Sequence, residues 1–122
     1  MRRLDRRVTI QRKTVTQDES GQEIATWTAI AHRRPAFVAP VRGEERFAAQ
    51  QVIARQQTTF TMRWSETVAD VSPLDRILYP PPSDQNAQSP AVDTIYDVIE
   101  VVEVGRRDGL RIMAARRAEI AA

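Results

Sequence analysis

Arg7-Val8-Thr9-Ile10-Gln11, Asp18-Glu19-Ser20-Gly21 and Ile24-Ala25-Thr26-Trp27-Thr28-Ala29-Ile30 follow one another at the start of the chain and decide its fold class. In the first run Val8 and Ile10 fall on one side of an extended backbone, and Arg7, Thr9 and Gln11 on the other. That is the period-two pattern of a half-buried strand. The second run is acidic, polar and closed by glycine, which suits a tight turn. The third is rich in strand formers. Together they predict a β-hairpin.

The same reasoning extends downstream. His32-Arg33-Arg34-Pro35 reads as a lead into another strand, Ala36-Phe37-Val38-Ala39-Pro40-Val41, which its prolines confine to an edge or irregular position. Residues 43–57 hold good helix formers, no proline and no alternation, and their larger apolar residues are Phe47, Val52 and Ile53. A helix there is too polar to anchor on a core, which predicts one short helix followed by a long flexible arm. Alternation resumes at Phe60, Met62 and Trp64, with Thr59, Thr61 and Arg63 on the other face. Ser65 to Pro73 reads as a loop carrying Val68 and Val71, and Asp75 to Tyr79 as a brief strand stopped by Pro80-Pro81-Pro82.

A Pro/Ser/Gln/Asn-rich stretch, about 80–93, then reads as an exposed loop with little packing. Thr94 to Val104 is dense in Val and Ile and predicts the strongest strand. Gly105-Arg106-Arg107-Asp108-Gly109 closes a hairpin, with Asp-Gly expected to supply the positive φ. Leu110 to Arg117 has helical propensity, but the preceding turn calls for a returning strand. The expected fold is mainly β: one small antiparallel β-sandwich or barrel over residues 1–122, with one short helix and the long arm. Tyr96, Val98, Val102 and Val104 are expected to share its inner face with Phe60, Met62 and Trp64.

Composition narrows the function. A chain of 122 residues buries about two-thirds of its unfolded surface and folds without staples. It contains no cysteine, which excludes a disulfide scaffold, a thiolate metal site and a cysteine nucleophile. No apolar run is long enough for a membrane span, and Met1-Arg2-Arg3 leads into Leu4-Asp5-Arg6-Arg7 rather than the apolar core of a signal peptide. Net charge is only +2, but Arg2, Arg3, Arg6, Arg7, Arg12 and Lys13 load one end, and Arg106, Arg107, Arg111, Arg116 and Arg117 the other. Basic ends suit nucleic acid, an acidic protein surface, or simple solvation.

No catalytic site is legible. The sole histidine, His32, adjoins Arg33 and Arg34 and reads as an exposed loop residue without metal partners. Glu44-Glu45 and Asp18-Glu19 are sequence neighbours, which point in different directions on either regular backbone. Four glycines leave no phosphate-cradling loop. Neither cofactor nor metal is expected.

In collinear order these blocks resemble the head–tail joining proteins of tailed phages, also called head-closure, stopper or head-completion proteins. The resemblance rests on Arg7 to Gln11, Asp18 to Gly21 with Trp27, Phe37 to Val41 with Gly43-Glu44, and Ala48-Ala49-Gln50-Gln51. It continues through Phe60 to Trp64, Asp75-Arg76-Ile77 and Tyr96 to Ile99. Residues 79–93 are longer and richer in proline than the family pattern.

The resemblance implies a homo-oligomeric ring, hexamer or dodecamer, at the virion neck, assembled in the bacterial cytoplasm. It would sit between portal or adaptor and the tail terminator or other tail proteins, with packaged double-stranded DNA in its channel and no membrane. Glu44, Arg46, Gln50, Gln51, Arg55, Gln56 and Gln57 are then the channel-facing arm, polar enough to touch phosphates without gripping them. Arg3, Arg7, Trp27, Phe37 and Phe47 are the expected oligomer or adaptor contacts, since aromatics and Arg dominate interfaces; plain core is the rival role for Trp27. The alternatives are a small β-barrel nucleic-acid-binding module and a tail-terminator or minor tail protein.

Overall fold

The computed structural model describes residues 4–40 and 57–117. Six strands form: β1 (Arg6–Gln17), β2 (Glu23–Pro40), β3 (Gln57–Arg63), β4 (Asp75–Leu78), β5 (Ile95–Val104) and β6 (Gly109–Arg116). They close into an antiparallel barrel in the order β1-β2-β3-β6-β5-β4. Closure pairs the strand edges that an open sheet would expose.

Alternation decides what fills the interior. Ile10, Ile77 and Tyr96 lie opposite one another across β1, β4 and β5 and join the core with Val8, Phe60, Met62, Val98, Leu110 and Ile112. Phe60 packs edge-on against the rings of Tyr96, 5.1 Å away, and Tyr79, 6.2 Å away. Val68 and Val71, from the loop after β3, are buried in the same cluster. Trp64, just beyond β3, packs against it from a half-buried position.

The two expected strands around His32 are a single strand of 18 residues. The extra residues are absorbed as irregularities rather than a loop: pairing jumps from Val8↔Arg34 to Ile10↔Ala31, then to Gln11↔Ala29. Arg33 sits there at φ 54. Such bulges bend a strand, which is what curling a sheet into a barrel requires. Thr9 fastens the bend, its Oγ1 lying 3.0 Å from His32 Nδ1 and accepting the Arg33 backbone N–H at 3.4 Å. His32 is therefore a half-buried strand residue, not an exposed loop residue.

A second irregularity, between Val98 and Glu100, corrects the expected inner face of β5. One extra residue reverses side-chain parity beyond it. Tyr96 and Val98 are buried as expected, but Val101 rather than Val102 packs against the core, and Val104 is exposed. In the following hairpin the positive φ angles fall at Gly105 and Arg107, not at Gly109, which is already the first residue of β6. The region 110–117 forms the expected returning strand through Arg116.

The helix expected within residues 43–57 lies outside the described residues. Among the described residues the helical element is one 3-10 turn, Val92–Thr94.

Candidate functional site

Lys13 begins a two-stranded ribbon that leaves the barrel. β4 pairs with β1 only from Thr9 to Arg12, so Lys13 to Gln17 have β2 alone as a neighbour, opposite Trp27 to Glu23. Lys13 to Gln17 and Glu23 to Thr26 are all exposed, Val15 at 51% and Ile24 at 44%. The tip is the turn read from Asp18-Glu19-Ser20-Gly21. Asp18 Oδ1 accepts the backbone N–H groups of Ser20 and Gln22, each at 2.9 Å, and Gly21 takes φ 83, which glycine adopts without strain.

Arg12 anchors the root of this ribbon. Its Nε and Nη2 donate to the two carboxylate oxygens of buried Asp75, each at 3.1 Å, and its Nη1 donates to Asp70 Oδ2, also at 3.1 Å. One guanidinium thus ties β1 to β4 and to the loop before it. The hydrogen bond and charge of Arg12 hold the exposed Asp70 carboxyl below its ordinary value, while Asp75 and Asp70 raise Arg12. A lowered carboxylate favours the folded state above its unfolded pKa, and that contribution disappears as pH falls through the folded one. We expect a side-chain NMR titration to find Asp70 below a free aspartate, and Arg12→Gln to return it to the ordinary range. An Asp70 indifferent to that substitution would exclude the link.

The Pro-rich segment after β4 corrects the expectation of a loosely packed loop. Gln11, Arg76 and Asp97 are paired across β1, β4 and β5 on the face opposite the core residues, so they point out of the barrel wall. Yet Gln11 is fully buried and Arg76 is 3% exposed. Residues 85–88 cross this outer face and complete its hydrogen bonds. Gln11 Nε2 donates to the carbonyls of Gln85 at 3.0 Å and Ala87 at 2.9 Å, and Arg76 Nε donates to Gln11 Oε1 at 2.8 Å. Arg76 Nη2 reaches the carbonyls of Ala87 and Gln88, and its guanidinium lies 3.8 Å from the centre of the Trp27 ring. Burial, then the nearby charge of Arg117, pulls Arg76 down to about 10 against the opposing pull of Asp97, so it remains a cation at neutral pH. Arg117 is itself paired with Asp97 at 2.6 Å.

The same strap binds the outer edge of β2. The Gln88 carboxamide accepts the Trp27 N–H and donates to the Trp27 carbonyl, both at 2.7 Å, and Asn86 Oδ1 accepts the Ala29 N–H at 2.9 Å. Two side-chain amides thereby do the work of a neighbouring strand. Trp27 is accordingly half-buried beneath Arg76 at the base of the ribbon, neither in the core nor a bare contact.

Of the other residues singled out from sequence, Arg7 is exposed near the start of β1, where its Nη1 donates to the Arg33 carbonyl at 3.3 Å. Phe37 is half-buried on the outer face of β2, opposite Thr61. Trp27 stands ten residues before it along β2, roughly 30 Å at strand rise, so the two do not form one patch. Gln57 is no part of an exposed arm: it is the first residue of β3, opposite Ala115, and is 7% exposed. Arg3, Glu44, Arg46, Phe47, Gln50, Gln51, Arg55 and Gln56 lie outside the described residues. Pro40, the last residue of β2, pairs with Thr58, so the described strand ends on either side of residues 41–56 are neighbours on the barrel rim.

Sequence reading missed Gln11, Arg76, Asn86 and Gln88. The available signal was the tetrad Gln85-Asn86-Ala87-Gln88, whose amides can cap a strand edge. Among the described residues no three His, Asp or Glu side chains group to hold a metal.

Comparison with solved structures finds the same fold elsewhere. Protein SF1141 from Shigella flexneri 2a, known from a solution structure, superimposes with a TM-score of 0.70 at 23% identity over 96% of each chain. A chain in the virion of a native gene transfer agent particle does so with a TM-score of 0.59 at 20% identity, over 97% of this chain and 98% of that one. No curated protein matches by sequence. The family of phage head completion proteins matches residues 1–117, almost the entire chain including both the ribbon and the strap. The chain belongs to the phage head completion protein family.

Proposed function

We propose that this protein is a structural component of the phage neck, forming a homo-oligomeric ring between portal or adaptor and tail. The ring closes the DNA-filled capsid and offers the tail its docking surface. The match to head completion proteins over residues 1–117 carries this reading. The likeness to a chain of a gene transfer agent virion supports a place in such a particle. A closed barrel suits a part that bears load, and the described strand ends flanking residues 41–56 are neighbours, which suits a projecting loop. Their polar residues Glu44, Arg46, Gln50, Gln51, Arg55 and Gln56 face the channel in this reading, where glutamine amides meet phosphates without strong charge pairing.

The alternative, a nucleic-acid module, needs exposed aromatic faces for base stacking. Here Phe60 is fully buried, and the Trp27 and Trp64 rings are covered by Arg76 and Arg107.

Replacing residues 48–55 with a short Gly/Ser link tests the arm. The variant is expected to fold with an unchanged melting temperature, while filled heads carrying it lose their DNA. Heads that stay sealed and infectious would remove the arm from the closure.

A further inference from the structure

The ribbon and the β5–β6 hairpin carry opposite charge and rise from opposite walls of the barrel at the same rim. In the closed order, the adjacent pair β1 and β2 faces the adjacent pair β5 and β6 across the interior. Asp18, Glu19 and Glu23 outnumber Lys13 on the exposed ribbon, which also shows Val15 and Ile24 to solvent. At the far hairpin Arg63, Arg106 and Arg107 are exposed, and Arg34 joins them by donating to the Arg63 carbonyl at 2.8 Å. Arg107 lies over the Trp64 ring at 4.9 Å, and Val104 is exposed at the start of the turn. Glu103 shares this hairpin and accepts the Arg107 backbone N–H, which orients the turn. Glu66 and Asp108 are also exposed near it and leave the arginines in excess.

A two-stranded ribbon with apolar side chains in water is marginal by itself and gains from being covered. Two different, complementary patches on opposite walls of a protomer are what a head-to-tail contact uses, and such contacts generate rings when the rotation closes. We propose that the acidic β1–β2 ribbon of one copy docks on the arginine-rich β5–β6 hairpin of a second copy of this chain. Val15 and Glu23, which share one face of the ribbon, then meet Val104 and Arg63, which share the outer face of the hairpin wall, and Glu19 meets Arg106. This rests on the ring reading above and names the interface that would build it.

The absence of cysteine makes the contact testable in the full chain. Glu19→Cys with Arg106→Cys in one chain is expected to give, under mild oxidation at high protein concentration, a ladder of disulfide-linked oligomers. Glu19→Cys with Asp93→Cys, whose second site lies outside the hairpin, is expected to give none. In parallel, sedimentation follows association of the cysteine-free protein. Reversing Glu19 and Glu23 to Arg should weaken association about tenfold or more, and mixing with the Arg106→Glu, Arg107→Glu variant should restore it.

Oligomers that form without ribbon–hairpin crosslinks, or with equal crosslinks in the control pair, would overturn this docking and leave a ring built by another contact. No association at any concentration would overturn self-docking altogether. Short duplex DNA that binds the hairpin arginines and leaves association unchanged would assign the patch to nucleic acid instead.

Discussion

Arg76→Ala is expected to lower unfolding free energy by about 3 kcal/mol, measured as a shift of the urea midpoint at constant slope. Arg76 is 3% exposed and is the donor to Gln11 Oε1 and to two strap carbonyls. Truncation leaves the buried Gln11 Oε1 unpaired, which costs more than its hydrogen bond contributes, while the Ala87 carbonyl keeps its bond from Gln11 Nε2. It also uncovers the Trp27 ring. The charge alone does not hold the site together, since burial opposes it. Arg76→Met should therefore destabilise less than Arg76→Ala, because the stem packing survives. Adding Gln11→Leu to Arg76→Met should not recover the loss, because it removes the orphaned Oε1 together with the Nε2 that donates to the Gln85 and Ala87 carbonyls. Amide exchange at Trp27 and Ala29 should quicken in Arg76→Ala as the strap loosens. Unchanged exchange there, with an unchanged midpoint, would show that the strap holds without the arginine.

Phe60→Ala is expected to cost about 4 kcal/mol, a large share of the total stability of an ordinary domain. Phe60 is fully buried, and its ring meets both Tyr79 and Tyr96 edge-on. Val38 on β2 and Ile112 on β6 flank it and Tyr96 stands on β5, strands that closure holds in register, so the cavity cannot collapse easily. Phe60→Leu keeps most of the volume and should cost closer to about 1.5 kcal/mol. The comparison is made by denaturant unfolding of the two variants side by side. Equal costs would mean that the interior repacks freely, contrary to the tight edge-on geometry.

The two predictions probe different layers, and only one of them was legible beforehand. Phe60 and Met62 announce themselves by alternation within a run of strand formers, and they are core residues. Arg76 and Gln11 look like outward polar residues on the same criterion, and by orientation they are. Their burial comes from residues 85–88, and Gln11 meets Gln85 across 74 positions of sequence. No local pattern encodes that meeting. The same limit explains Val102 and Val104: the alternation is real, but the irregularity at Val98/Glu100 reverses it, and a bulge leaves little mark in a run of Val, Ile and Glu. Gln57 follows Gln56 in a polar run, so only its pairing with Ala115 shows that the strand has begun.

What the sequence by itself determined was the local grammar. The Asp18 to Gly21 turn, the period-two strands, the returning strand after Asp108-Gly109 and the collinear order that marks the head completion family all depend on neighbours a few positions apart. What only the tertiary structure decided was closure of the barrel, the strap across Gln11 and Arg76, the unbroken β2 and the opposition of ribbon to arginine hairpin. Each of these depends on which distant backbone groups come within hydrogen-bonding reach. That choice is made by the fold as a whole, because a buried polar group must find a partner wherever the chain supplies one.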